Sequence, residues 1–162
     1  MTISPYVGGE STVAGAKTVI KLASNESALG PSPRALAALR DSAARIHRYP
    51  DGHCTALRQS LAALHGLKAE QIVCGAGSDE LIALLCRAYA GLGDEVIHTE
   101  HGFLMYPIAA RTVGAEPVAV AETNLTADVD AILDALTPRT RLVFIANPNN
   151  PTGTYLPAAD LE

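Results

Sequence analysis

The run Arg141-Leu142-Val143-Phe144-Ile145, followed by Asn147-Pro148-Asn149-Asn150-Pro151-Thr152-Gly153, decides how this chain is read. Its first five residues form a short apolar stretch, the pattern of a buried strand. Asn147-Pro148 and Asn150-Pro151 bias the residue before each proline toward extended backbone and exclude a helix. Thr152-Gly153 then turns the chain. The strand therefore ends in a stiff loop that presents asparagine amides. In open α/β sheets, ligands bind outside the carboxyl ends of the strands. Asn, Pro and Gly also build ordinary strand-to-helix loops, so the rest of the chain has to decide between the two.

Upstream of this loop, strand and helix patterns alternate. Gln71-Cys74 reads as a short strand. Gly75-Ala76-Gly77-Ser78 follows, and then a helix whose face is expected to be Leu81, Leu84, Leu85, Ala88 and Tyr89. Strand, small-residue loop and helix together make a helix N-terminus whose free N–H groups can hold an anion. A tight connection that needs glycine only for its turn reads the same way. Asp79 and Glu80 suit the first turn through the helix dipole, but their charge opposes a phosphate. Backbone amides and the Ser78 hydroxyl would then have to do the binding. Further strands are expected at Glu95–Thr99, Glu116–Ala121 and Arg141–Ile145. Helices are expected at about Phe103–Val113, and at Asp128–Leu136 with Val129, Ile132, Leu133 and Leu136 inward. This alternation predicts an α/β fold with a mainly parallel sheet and helices on its faces.

Toward the N-terminus, residues 1 to about 30 lack periodicity and read as an arm. Ser32 as N-cap and Pro33 at the first helical position start a helix that runs to about Ile46, with Leu36, Leu39, Ala43 and Ile46 at helical spacing. Tyr49-Pro50-Asp51-Gly52 is a turn by its Pro-Asp-Gly chemistry. A second helix, with Leu57, Leu61 and Leu64 on one face, ends near Gly66.

Composition limits the function classes. A chain of 162 residues, 48% hydrophobic, can build one ordinary domain core. A net charge of −5 gives no electrostatic footprint for nucleic acid. No apolar run reaches membrane-span length and no signal peptide is evident, so neither nucleic acid nor membrane is expected as a partner. Cys54, Cys74 and Cys86 match no metal-ligand or disulfide spacing; they read as buried free thiols in a reducing cytoplasm, and no metal site is expected.

Several landmarks occur in a fixed order: Ser24-Asn25-Glu26 with Leu29-Gly30-Pro31-Ser32, Arg48-Tyr49-Pro50-Asp51-Gly52, Gly77-Ser78-Asp79-Glu80, Phe103-Leu104-Met105-Tyr106, and Asn147 to Gly153. From Lys21 to Gly153 the chain resembles the N-terminal part of the histidinol-phosphate aminotransferases. These are fold-type I enzymes that use pyridoxal 5'-phosphate. The resemblance implies a three-layer sandwich, incomplete at the C-terminus. Residues 1–46 would be an N-terminal arm and part of a small domain, and residues 47–162 the first part of a large cofactor-binding domain. The implied activity moves an amino group between histidinol phosphate plus 2-oxoglutarate and imidazole acetol phosphate plus glutamate, in histidine biosynthesis. A related aromatic aminotransferase, a phospho-amino-acid decarboxylase and a non-catalytic truncated paralogue are the alternatives.

Residue by residue, the resemblance implies the following roles. Asn150 donates its amide to the cofactor's phenolate oxygen. Phe103 lies on the pyridine ring. Gly77, Ser78 and Asp79 form the phosphate cup. Tyr49 reaches the cofactor phosphate of the other subunit, which implies a homodimer with shared sites. Asn25 lines the substrate pocket. Ser27-Ala28 and Glu100-His101-Gly102 stand where the family usually carries prolines, both on the substrate side. Lys17, Lys21 and Lys68 do not match the family's cofactor-bearing lysine. That lysine, the carboxylate for the pyridine nitrogen and the substrate-binding arginine all lie beyond Gly153 in the family, so no catalytic residue is expected before Glu162. The strand at 71–74 would not neighbour the other three strands. The chain alone is then expected to be inactive and to self-associate through uncovered edges and apolar faces.

Overall fold

The computed structural model describes residues 5, 8, 12–15, 17–22 and 24–161. These residues group into two compact units, one ending at Cys74 and one running from Gly75 onward.

In the first unit, α1 (Pro33–Ser42) starts as its sequence dictates. The Ser32 hydroxyl accepts from Arg34 N at 3.3 Å, and Pro33 sits in the first turn, where no amide is needed. A single 3₁₀ turn, Ala43–Arg45, extends it. Asp51 shapes the approach to α2 (Thr55–His65): its carboxylate oxygens accept from His53 N at 2.9 Å and Thr55 N at 2.8 Å. Bonds from Thr55 are the main reason its carboxyl is held down at about 2. Gly66, at φ 67, ends α2 in the left-handed conformation that glycine adopts without strain. Arg58 donates from Nε and Nη2 to the Ala69 carbonyl, at 3.0 and 2.6 Å, fixing a second 3₁₀ turn, Ala69–Gln71, against α2.

Two expectations for this unit fail. Gln71–Cys74 is not a strand: Gln71 closes the 3₁₀ turn, and residues 72–74 pair with no strand among the described residues. The backbone at Ile72 is extended (φ −115, ψ 125), as a β-branched residue favours, but a ladder needs a neighbour. Nor are the marked apolar stripes buried. Leu39, Ile46, Leu57 and Leu64 are exposed, and Ala62 is the buried hydrophobic residue among those described here.

The second unit is a three-layer α/β fold. Its sheet has the order β2 (Glu116–Val120), β1 (Glu95–Thr99), β5 (Thr140–Phe144), all parallel. β1 is buried along its whole length because it lies between two strands and two helical layers. On one face Val96 packs with Ala110 and Ala115, next to a cluster of Ile82, Cys86, Tyr106 and Ala109. These residues bring in α3 (Gly77–Tyr89) and α4 (Met105–Thr112). On the other face Ile97 packs with Val120 and with Ile132 of α5 (Val129–Asp134). Burial of side chains such as Val96 and Ile97 contributes about 1.5–3 kcal/mol each. At the amino end of β1 the buried Glu95 carboxylate pairs with Arg139 and accepts from Thr137 Oγ1 at 2.5 Å.

The expected α3 face is corrected here. Ile82 and Cys86 are buried, whereas Leu84, Leu85 and Tyr89 are exposed. On α5, likewise, Ile132 is buried but Leu133 and Leu136 are not. Of the cysteines only Cys86 is buried; Cys54 and Cys74 are half-buried free thiols. A two-stranded hairpin, β3 (Glu122–Thr123) and β4 (Thr126–Ala127), was not foreseen. Its turn residues Asn124 and Leu125 both take positive φ, at 54 and 61. A short helix, α6 (Ala158–Leu161), follows β5 and its loop. Among the described residues no helix is long and apolar enough to cross a membrane.

Candidate active site

Parallel pairing brings the carboxyl ends of β1 and β5 side by side, with His98 opposite Phe144. The segment bearing Phe103 leaves the first strand and the asparagine loop leaves the second. Phe103 is half-buried; its ring meets Tyr106 edge-on, with centroids 5.9 Å apart, and Tyr106 stacks on Phe144 at 4.8 Å. Burial raises the pKa of the Tyr106 phenol. Before Phe103 the chain turns tightly, with Gly102 N donating to Thr99 O at 3.0 Å. A Cβ on Gly102 would lie 2.8 Å from Thr99 Oγ1 and 3.0 Å from Thr99 O, so only glycine fits.

The three asparagines of the loop have different surroundings. Asn147 is fully engaged: its Nδ2 donates to Leu156 O and its Oδ1 accepts from Leu156 N, both at 2.9 Å. Asn149 Nδ2 donates to Thr152 Oγ1 at 2.9 Å and to His101 O at 3.4 Å. Its main chain closes the turn through Thr154 O and Gly153 N, each at 2.8 Å. Both Asn-Pro bonds are cis. The half-buried Asn150 carboxamide has no hydrogen-bond partner among the described residues. The loop is thus shaped by two of its amides and leaves the third available.

Gly77, Ser78 and Asp79 form the exposed first turn of α3. Gly77 takes φ +81, where a side chain would be strained. Its N–H donates to Gly75 O at 2.9 Å, while the amides of Ser78 and Asp79 meet no partner among the described residues. Glu80 folds back toward this end: its Oε2 accepts from Ala76 N, the N-cap amide, at 2.6 Å. Gly75 makes room, since a Cβ there would come within 3.0 Å of that oxygen. One of the two carboxylates in this turn is therefore held by a main-chain donor, which fixes its position without cancelling its charge. Two free amides, the Ser78 hydroxyl and the helix dipole fit a phosphate; the free Asn150 amide and the Phe103 ring fit a planar anionic ring. A groove of about 560 Å³ lined by Thr123, Thr126, Asp128, Asp130 and Asp160 is acidic and fits neither.

Tyr49 and Asn25 lie in the unit that ends at Cys74. Both are exposed, and Tyr49 is completely so. Among the described residues no cluster of His, Cys, Asp and Glu could hold a metal ion.

Residues 17–162 match the family model of the class I and II aminotransferases. The chain belongs to that family. The histidinol-phosphate aminotransferase of Paramagnetospirillum magneticum is 61% identical to it over 161 residues, covering 99% of this chain and 44% of the relative. That of Rhodospirillum rubrum is 62% identical, with the same coverage. The chain thus spans less than half the length of these relatives. Among solved structures, histidinol-phosphate aminotransferase from Sinorhizobium meliloti in complex with pyridoxal-5'-phosphate superposes with a TM-score of 0.81 and 30% identity, covering 85% of this chain and 38% of that one.

Proposed function

We propose that the protein to which this chain belongs is a histidinol-phosphate aminotransferase that uses pyridoxal 5'-phosphate, with 2-oxoglutarate and glutamate as the second substrate pair. The observation that carries this reading is the grouping within one unit of α3's free amides, the Phe103 ring and the unpaired Asn150 amide. The high identity to the two bacterial relatives narrows the substrate. When bound, the cofactor supplies the electron sink for transamination. The chain's own residues bind and orient it. Ser78, with the Gly77–Asp79 backbone, holds the phosphate. Phe103 covers the ring face and excludes water. Asn150 donates to the oxygen that bears the charge. Tyr49, unpartnered and exposed, reaches the phosphate of a second subunit in a homodimer, and Asn25 lines the substrate pocket.

Lys17, Lys21 and Lys68 do not carry the cofactor in this reading. Lys21 already pairs with Glu26 at 2.8 Å. The lysine comes from the further length that the relatives possess, so the 162-residue chain alone does not transaminate. The arm and small domain to residue 46, the large domain from 47, and a cytoplasmic setting suited to free thiols belong to the same proposal. The complete protein should convert histidinol phosphate and 2-oxoglutarate. Ser78→Ala should weaken cofactor retention by about 0.5–3 kcal/mol, the range from a neutral to a charge-assisted hydrogen bond. Unchanged cofactor affinity removes Ser78 from the site, and no turnover of histidinol phosphate overturns the substrate.

A further inference from the structure

The β3–β4 hairpin is bonded to both loops of the proposed site. The Glu122 side chain is 1% exposed. Its Oε1 accepts from His101 N at 3.3 Å, and its Oε2 lies 3.0 Å from His101 Nδ1. The His101 carbonyl accepts from Asn149 Nδ2. The same Nδ2 donates to Thr152 Oγ1, which shares a 2.7 Å hydrogen bond with Thr154 Oγ1. Thr154 Oγ1 also donates to Leu125 O at 2.6 Å, returning to the hairpin. These bonds close a ring: hairpin, His101, Asn149, Thr152, Thr154, hairpin. Phe103 follows His101 by two residues, and Asn150 directly follows Asn149.

We propose that Glu122 is a positioning residue, acting through His101 and Asn149 to set Phe103 and Asn150 against the cofactor ring. The inference rests on the cofactor reading above. A carboxylate this buried is costly unless its oxygens are bonded, and both bonds go to one residue of the loop that bears Phe103. A hairpin of two-residue strands gains little stability for itself. The turn between His101 and Phe103 is tied as well, Gly102 N donating to Thr99 O at 3.0 Å. Displacing His101 therefore displaces Phe103 on one side and Asn149 on the other.

The test uses the complete holoenzyme. Glu122→Gln keeps an acceptor for His101 N and loses the anionic partner of Nδ1; Glu122→Ala loses both; Thr154→Val cuts the ring at its far side. The readouts are cofactor dissociation, the induced circular dichroism of the cofactor absorption band, and the melting temperature of the cofactor-free form. Ile132→Val, a core change in the same unit, controls for stability. Glu122→Ala should weaken retention about tenfold or more, as for loss of a hydrogen bond to a charged group, and diminish the induced band. Glu122→Gln should fall between it and wild type, Thr154→Val should also diminish the band, and Ile132→Val should lower the melting temperature alone. If both Glu122 variants keep the wild-type band and dissociation constant, the inference is overturned while the function stands. A wild type that takes up no cofactor overturns the proposed function and this inference with it.

Discussion

Asn147 and Asn150 are the same residue type in one loop, and the structure gives them opposite expectations. Asn147 makes two 2.9 Å bonds to the main chain of Leu156, a residue only 6% exposed. Each net hydrogen bond is worth about 0.5–1.5 kcal/mol, so Asn147→Ala should cost about 1–3 kcal/mol of stability. Asn150 bonds to nothing in the described residues. Its replacement by Ala should leave the cofactor-free protein within about 0.5 kcal/mol of wild type. With cofactor the order reverses: losing a donor to a charged oxygen should cost about 1.5–3 kcal/mol of retention, roughly ten- to a hundredfold. It should also move the pH at which the bound cofactor's absorption band changes, because the charged form loses support. Urea denaturation of the cofactor-free complete protein, paired with a spectrophotometric cofactor titration, separates the two. If Asn150→Ala costs as much cofactor-free stability as Asn147→Ala, the free amide is not free and the reasoning fails. A titration that overlays on wild type removes Asn150 from the site.

Three further outcomes are expected. Burial is the main cause that lowers the pKa of His98 from 6.5, so the unfolded chain takes up that proton first as the pH falls. Stability should therefore decline below about pH 6.5, and His98→Gln should flatten that decline in denaturant titrations across pH; an unchanged slope would show that His98 is not responsible. Gly102→Ala forces a Cβ to 2.8 Å from Thr99 Oγ1 and should destabilise by about 1–3 kcal/mol, read by thermal denaturation; a neutral result would mean that the turn relaxes freely. The 162-residue chain expressed alone leaves β2 and β5 as sheet edges and exposes Leu84, Leu85, Tyr89, Leu133 and Leu136. It should self-associate on sizing and show no transamination, and any adduct trapped by borohydride should scatter over Lys17, Lys21, Lys68 and the N-terminus. A monodisperse, active chain would contradict both points.

How much of the fold was legible depends on how local its cause is. β1 has the expected bounds because the β-branched pair Val96-Ile97 follows a Gly-Leu-Gly-Asp turn, and both effects are local. The start of α1 and the end of α2 follow from Ser32-Pro33 and Gly66, whose effects are confined to a turn. The buried stripe of α3 was not legible. Leu81, Leu84 and Leu85 form one apolar stripe and Ile82 and Cys86 another, and periodicity alone does not say which one meets α4. The hairpin was hidden for a different reason. Its strands are two residues long, and its turn places Leu125 at a positive φ where Gly is the usual signal.

The site divides along the same line. That a loop of amides would stand at the end of β5 follows from two Asn-Pro pairs after an apolar run. Which amide stays free does not, because the partners that decide it, Leu156 and His101, lie 9 and 48 residues away from the asparagines they bind. The same holds at α3. The sequence puts two carboxylates in a helix turn proposed to hold an anion, an apparent conflict of sign. Glu80 folds back onto the Ala76 amide, through space left by the missing Cβ of Gly75. That donor was one of the four that the helix leaves unpaired, so the first turn keeps fewer free amides, and the carboxylate is fixed in place without its charge being cancelled. Two amides and a serine hydroxyl remain as donors for a phosphate, and Gly75 sets where the neighbouring Glu80 carboxylate sits, which ties Gly75 to the proposed site alongside Ser78.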